Sequence, residues 1–281
     1  MSYQLVSIHG GHSGQFCNHA KDDLEGIVQA YIEQGFGWVG ITEHMPPVSD
    51  EFLYPEEIEA GETAVSLQRR FSQYMTHARQ LQKKYASQIR LFVGFEGESY
   101  SGALPFMQKL IAQFKPDYVV GSVHHVDNMP FDLSQAGYEQ TATAVCGIDA
   151  LYGRYFDQQY AMIKAICPQV IGHFDYIRRF DDDYLARLQK PAIWSRILRN
   201  LQLIKKLGLI LDYNVAALQK GQSEPSICQP ILETAVSLGI PLVPGDDSHG
   251  ISTVGQNISK GIGMLQAAGA STNWSLPKIS L

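Results

Sequence analysis

Cysteine is scarce in this chain. Four residues, Cys17, Cys146, Cys167 and Cys228, stand among 281, with no CxxC pair, which excludes a disulfide scaffold. Positive charge never gathers: the longest cationic tracts are pairs such as Lys83-Lys84, Arg178-Arg179 and Lys205-Lys206, and the net charge is −6. Nothing so weakly basic grips a nucleic-acid backbone over an extended face. Long apolar runs are missing too, since none reaches the ~18 residues that span a bilayer. The start, MSYQLVSIHGG, lacks the basic and long apolar regions of a secretory signal. No internal repeat, low-complexity tract or Pro/Gly/Ser linker interrupts the chain. These absences predict a single domain over 1–281, cytoplasmic, with reduced thiols and with neither nucleic acid nor membrane as partner; they leave the oligomeric state open.

Hydrophobic residues make up 45% and charged residues 18% of the chain, which suits a globular enzyme with a large core. Short continuous apolar runs fall at Gln4–Ile8, Trp38–Thr42, Leu91–Phe95, Tyr118–Val123, Gln169–Gly172, Leu209–Tyr213 and Pro241–Pro244. Such runs fit parallel strands covered on both faces. Segments of helical period lie between and after them, at Asp22–Gln34, Ala64–Ala86, Pro105–Phe114, Tyr152–Ile166, Ala192–Leu207, Ser226–Leu238 and Gly255–Ala268. Gly35, Gly208 and Gly239 stand where C-terminal caps belong. Strict alternation of seven βα units implies a parallel α/β barrel or a doubly wound sheet, and the barrel is favoured. The stretches 46–61 and 127–140 read as long βα loops, the kind that carry substrate contacts.

Residues of metal-ligand type follow every predicted strand: His9, His12 and His19 after the first, Glu43-His44 after the second, Glu96 and Glu98 after the third. His124-His125, then His173 and Asp175, then Asp212 and Asn214 follow the next three. Asp246-Asp247-Ser248-His249 closes the series. In a parallel barrel these ends converge on one mouth. A lone histidine after a strand is usually a core or capping residue, but seven of the chain's nine belong to this set. His77, mid-helix, reads as a surface residue, and His125, next to His124, either as structural or as a support behind the ligands. Six or seven imidazoles with two acids exceed one ion's needs, so two or three divalent ions are implied, with zinc, iron and manganese all suited to mixed nitrogen and oxygen donors. Paired ions lower the pKa of a shared water and clamp the oxygens of an in-line displacement, which points to phosphoester hydrolysis.

The motifs resemble those of the PHP (polymerase and histidinol phosphatase) family, and within it the histidinol-phosphatase group. They read HGGHSGQFCNHA from His9 to Ala20, Thr42-Glu43-His44, Gly94-Phe95-Glu96, Ser122-Val123-His124, Gly172-His173-Phe174-Asp175 and Asp246-Asp247-Ser248-His249. The resemblance implies a distorted, TIM-like (β/α)7 barrel with a trinuclear site at the C-terminal strand ends. His9, His12, Glu96 and Asp247 would hold one metal. Glu96 would bridge to a second, with His124 and His173, and His19, His44 and His249 would hold the third. It implies hydrolysis of L-histidinol phosphate to L-histidinol and phosphate, with another small phosphate ester or a nucleotide as the alternative substrate.

One departure concerns the first motif, His-Gly-Gly-His where the family has His-x-His. Only even spacing keeps two side chains on one face of a strand, so either both histidines reach the site through a bulge, which Gly10-Gly11 permit, or one of them has dropped out of the ligand set. Around the mouth, Glu96 and Asp247 are the expected catalytic acids, with Asp175 orienting an imidazole or protonating the leaving group. Asp246 is a candidate support for a ligand imidazole. Arg178, Arg179 and Arg154 are the candidate phosphate contacts. Glu43, Glu98 and Asp127 are acids that suit a cationic amine.

Overall fold

The structure is a computed structural model and describes residues 3–277. The strands are β1 Val6–Gly10, β2 Trp38–Ile41, β3 Arg90–Gly97, β4 Tyr118–Gly121, β5 His125–Val126, β6 Met129–Pro130, β7 Val170–Ile171, β8 Ile210–Asn214 and β9 Leu242–Gly245. Seven of them form one parallel sheet in the order β1-β2-β3-β4-β7-β8-β9. The sheet curls until β9 returns to β1. There Asp247 N donates to His9 O at 2.8 Å and His12 N to Ser248 O at 2.7 Å, nearly closing a (β/α)7 barrel. Each of these seven strands matches an expected run, shifted by a residue or two. β5 and β6 form a small hairpin that the pattern did not announce.

The helices are α1 Leu24–Glu33, α2 Pro55–Glu59, α3 Ala64–Lys84, α4 Ala103–Phe114, α5 Gln135–Ala144, α6 Ile148–Ile166, α7 Tyr184–Leu188, α8 Pro191–Leu207, α9 Ala216–Gln219, α10 Gln229–Ser237 and α11 Ile258–Ala267. The seven expected helices are present, while α2, α5, α7 and α9 were not anticipated. Their ends follow local chemistry. Asp23 caps α1 by accepting from Gly26 N at 2.7 Å. Pro191 opens α8, and Gly208 closes it at φ +66°, the left-handed conformation glycine takes without strain. The 46–61 stretch is a loop built around a short 3₁₀ turn and α2; 127–140 is a loop that folds back as the hairpin and enters α5.

The barrel interior is filled from below by Val6, Ile8, Trp38, Phe92, Tyr118, Val120, Val170, Ile210 and Val243. Tyr118 crosses the floor, and its hydroxyl donates to the Ile8 carbonyl. A Cβ at position 40 would sit 1.6 Å from that hydroxyl, so the opposing strand must carry glycine there.

Candidate metal centre

Strand period two sets the site. On β2, β3 and β4 the floor residues Trp38, Phe92 and Tyr118 face inward. Counting in twos from each leads to His44, Glu96 and His124, which therefore rise on the same inner face above the floor. An isolated parallel bridge between His44 and Glu96 extends the sheet to that height. On β1 the count fails, because Val6 and Ile8 face inward and His9 has odd parity. There the β1–β2 register shifts between Ser7 and Gly10, and Gly11 takes φ +60°. Both His9 and His12 thereby arrive inside, with ring centroids 5.8 Å apart. His173 and Asp247 complete the ring from strand ends with φ of +21° and +45°, conformations that non-glycine residues adopt only when the surroundings compel them.

All nine expected ligands meet in one cluster. Glu96 is central: its Oε1 lies 2.9 Å from His173 Nε2 and 3.5 Å from His124 Nε2. Its Oε2 lies 2.8 Å from His44 Nδ1 and 3.6 Å from His9 Nε2. Asp247 Oδ1 is 3.1 Å from His12 Nε2 and 3.9 Å from His9 Nε2. The Nε2 atoms of His19 and His249 are 3.2 Å apart, as are those of His124 and His173. Tetrahedral coordination at metal–nitrogen bonds of ~2.0–2.1 Å places donors about 3.3 Å apart.

These side chains fit metal ions on a further ground. Among the described residues, His9 Nε2, His12 Nδ1, His44 Nε2 and His173 Nδ1 are buried with no hydrogen-bond partner. Each such atom costs roughly 1–3 kcal/mol if nothing meets it. Groups of three or four ligand atoms within 4.8 Å of one another form around Glu96–His124–His173, His9–His12–Glu96, His9–His173–Asp247, His12–Asp247–His249 and Cys17–His19–His44–His249.

The surroundings tune and hold these donors. Asp212 Oδ2 accepts from His9 Nδ1 at 2.9 Å, which turns Nε2 toward the cluster, and it also accepts from His173 N at 3.3 Å. Burial alone would raise the Glu96 carboxyl, but the imidazoles of His9, His124, His173 and His44 hold it well below the usual carboxylate range. Burial, then His44 and His249, pushes His19 down to about 3; burial, then His44 and Lys220, pushes His249 down to about 4. Both imidazoles are therefore neutral at pH 7, with lone pairs free to bind a cation.

The PHP domain family model matches residues 10–216, about three-quarters of the chain. The chain belongs to the PHP domain family. It is 36% identical over 256 residues to the protein named "Probable histidinol-phosphatase" of Schizosaccharomyces pombe, covering 90% of this chain and 83% of that one. It is 29% identical to the histidinol-phosphatase of Saccharomyces cerevisiae, covering 88% and 84%. Among solved structures, a Listeria monocytogenes protein assigned as a histidinol phosphatase superposes with a TM-score of 0.80 at 25% identity, covering 91% and 99%. The histidinol phosphate phosphatase of Lactococcus lactis, complexed with zinc, L-histidinol and phosphate, shares the fold at a TM-score of 0.67 and 18% identity, covering 96% and 94%.

In this PHP domain the cluster opens into a cavity of about 340 Å³, lined by residues of both long loops: Tyr54 and Glu56 from one, Asp132 and Leu133 from the other. Of the three candidate arginines only Arg179 lines it. Arg178 is 3% exposed, and its guanidinium is taken up by Asp175 Oδ2 at 3.1 Å, Pro225 O at 2.5 Å and Glu224 O at 3.1 Å. Asp175 is correspondingly out of reach of the cluster: the same Oδ2 accepts from Cys228 N at 2.8 Å, so it braces Arg178 and orients no imidazole. Arg154 lies outside the cavity and pairs with Asp127 on the surface.

The expected acids also have other partners. Asp246 accepts from Ser7 Oγ, Tyr31 Oη and Gly255 N and touches no imidazole. Glu43 accepts from the backbone and hydroxyl of Ser13, and Glu98 pairs with His124 and His125. His125 therefore stands behind His124, sharing Glu98 with it. Three residues escaped the sequence reading. Lys220, just past α9, and Asp132 line the cavity, and Cys17 lies beside His19. Asp132 had one signal, its place in a long loop; Lys220 had none.

Proposed function

We propose that this chain is a metal-dependent phosphomonoesterase that hydrolyses L-histidinol phosphate to L-histidinol and phosphate. The observation that carries the reading is a cluster of nine ligand-type side chains, many with unpartnered buried atoms, under a cavity of small-molecule size. Relatives that match over most of the chain's length are named histidinol-phosphatases, and the Lactococcus relative binds zinc, L-histidinol and phosphate.

His9, His12, Glu96 and Asp247 would hold one ion, Glu96 with His124 and His173 a second, and His19, His44 and His249 a third. Zinc, iron or manganese fits such donors. Bound there, divalent ions neutralise phosphate oxygens and lower the pKa of an attacking water. The protein's own groups select and orient the ester. Arg179 and Lys220 put positive charge on one wall of the cavity for the phosphate. Asp132, 9% exposed with its Oδ1 unpartnered, offers a carboxylate for the substrate's ammonium. In the hydrolysis, water oxygen bonds to phosphorus, the P–O ester bond breaks, and the ester oxygen leaves as the histidinol hydroxyl. A net charge of −6 and four unpaired cysteines support a single cytoplasmic domain acting on a small molecule rather than on nucleic acid. No helix among the described residues is long and apolar enough to cross a membrane.

A panel of phosphomonoesters tests the assignment. L-histidinol phosphate should exceed p-nitrophenyl phosphate and nucleoside monophosphates in kcat/KM by tenfold or more. Equal values would overturn the specific substrate, and the absence of hydrolysis would overturn the activity.

A further inference from the structure

One more ligand-type group points at the cluster. Cys17, in the turn between β1 and α1, is 6% exposed. Its Sγ lies 3.3 Å from Nε2 and 3.4 Å from Nδ1 of His19, and it shares a 4.8 Å group with the ligand atoms of His19, His44 and His249. Two independent features point to an ion at this spot: the 3.2 Å approach of His19 and His249 Nε2, and the buried, unpartnered Nε2 of His44. Tetrahedral geometry with a metal–sulfur bond of ~2.3 Å and metal–nitrogen bonds of ~2.0–2.1 Å sets sulfur about 3.6 Å from each nitrogen. The 3.3 Å between Cys17 Sγ and His19 Nε2 falls within a few tenths of an ångström of that figure.

We propose that Cys17 is the fourth protein ligand of the ion held by His19, His44 and His249, which rests on the reading of the cluster as a divalent-metal site. Three imidazoles and a thiolate fill a tetrahedron, so this ion keeps no open position. It then acts as a fixed positive charge at the rim of the cavity. The positions around Glu96 are left to meet the phosphate and the attacking water. Sulfur is the softest donor in the cluster and biases this position toward zinc over manganese. A metal-binding thiolate also accounts for a buried cysteine placed among imidazoles: binding releases the thiol proton to solvent and replaces it with the ion.

The test uses the full chain, stripped with chelator and reloaded. With cobalt, the wild type should show a near-ultraviolet thiolate-to-cobalt charge-transfer band that Cys17→Ser lacks, while the variant still takes up ions at the remaining positions. With zinc, X-ray absorption of the wild type should show a sulfur shell at ~2.3 Å. This second measurement needs no variant and decides the matter if Cys17→Ser fails to fold. Cobalt uptake with no such band, or a zinc shell of nitrogen and oxygen alone, overturns the role of Cys17 and leaves the metal site standing. No uptake of either ion overturns both.

Discussion

Arg178 and Arg179 are chain neighbours with opposite roles. Both follow His173, and nothing in the letters separates them. In a 3₁₀ turn, residues one apart point roughly 120° from each other. One guanidinium therefore turns inward onto Asp175 while the next lines the cavity. Arg178→Ala should cost about 3–5 kcal/mol, because it strands a buried carboxylate, and thermal denaturation will read the loss. Arg179→Ala should leave the unfolding midpoint near that of the wild type and raise KM for the phosphate ester. If the two variants exchange these phenotypes, the assignment of the phosphate contact is wrong. Asp132→Asn makes a second test at this scale. A charge-assisted hydrogen bond is worth roughly 1.5–3 kcal/mol, so kcat/KM for L-histidinol phosphate should fall about ten- to hundredfold. An amine-free monoester should change less than threefold. An equal fall for both esters would remove Asp132 from amine recognition.

At the scale of elements, much of the site was legible in the sequence because strands have period two. His44, Glu96 and His124 stand an even number of residues from Trp38, Phe92 and Tyr118, so core and site share one face. The His-Gly-Gly-His spacing allowed either a bulge or the loss of one histidine from the site, and β1 has the bulge. Side chains whose direction depends on irregular backbone were not legible: Asp175 beside a 3₁₀ turn, Lys220 past a four-residue helix, Cys17 in a turn. Glycine marks where the barrel floor meets a strand. Gly40→Ala would drive a methyl into the Tyr118 ring and should cost about 1–3 kcal/mol in urea unfolding. An unchanged midpoint would mean that Tyr118 does not pack against β2 as described.

At the scale of the whole molecule, the barrel brings residues as distant as His12 and His249 to one mouth, their ring centroids 4.4 Å apart, and leaves donor atoms such as His9 Nε2 and His44 Nε2 unpaired. Ions that bind only the folded state stabilise it in proportion to the logarithm of their concentration over Kd. Stripping the metals should therefore lower the thermal midpoint, and adding zinc should restore it. A midpoint indifferent to chelator would mean the imidazoles stand in the fold without ions. The most direct test of the central claim is a titration of chelator-stripped enzyme with zinc, following phosphate release from L-histidinol phosphate against ions bound per chain. Activity should be nil in the stripped enzyme and rise only as binding passes one ion per chain. Full activity without metal, or saturation at a single ion, would contradict a polynuclear centre built from these nine side chains.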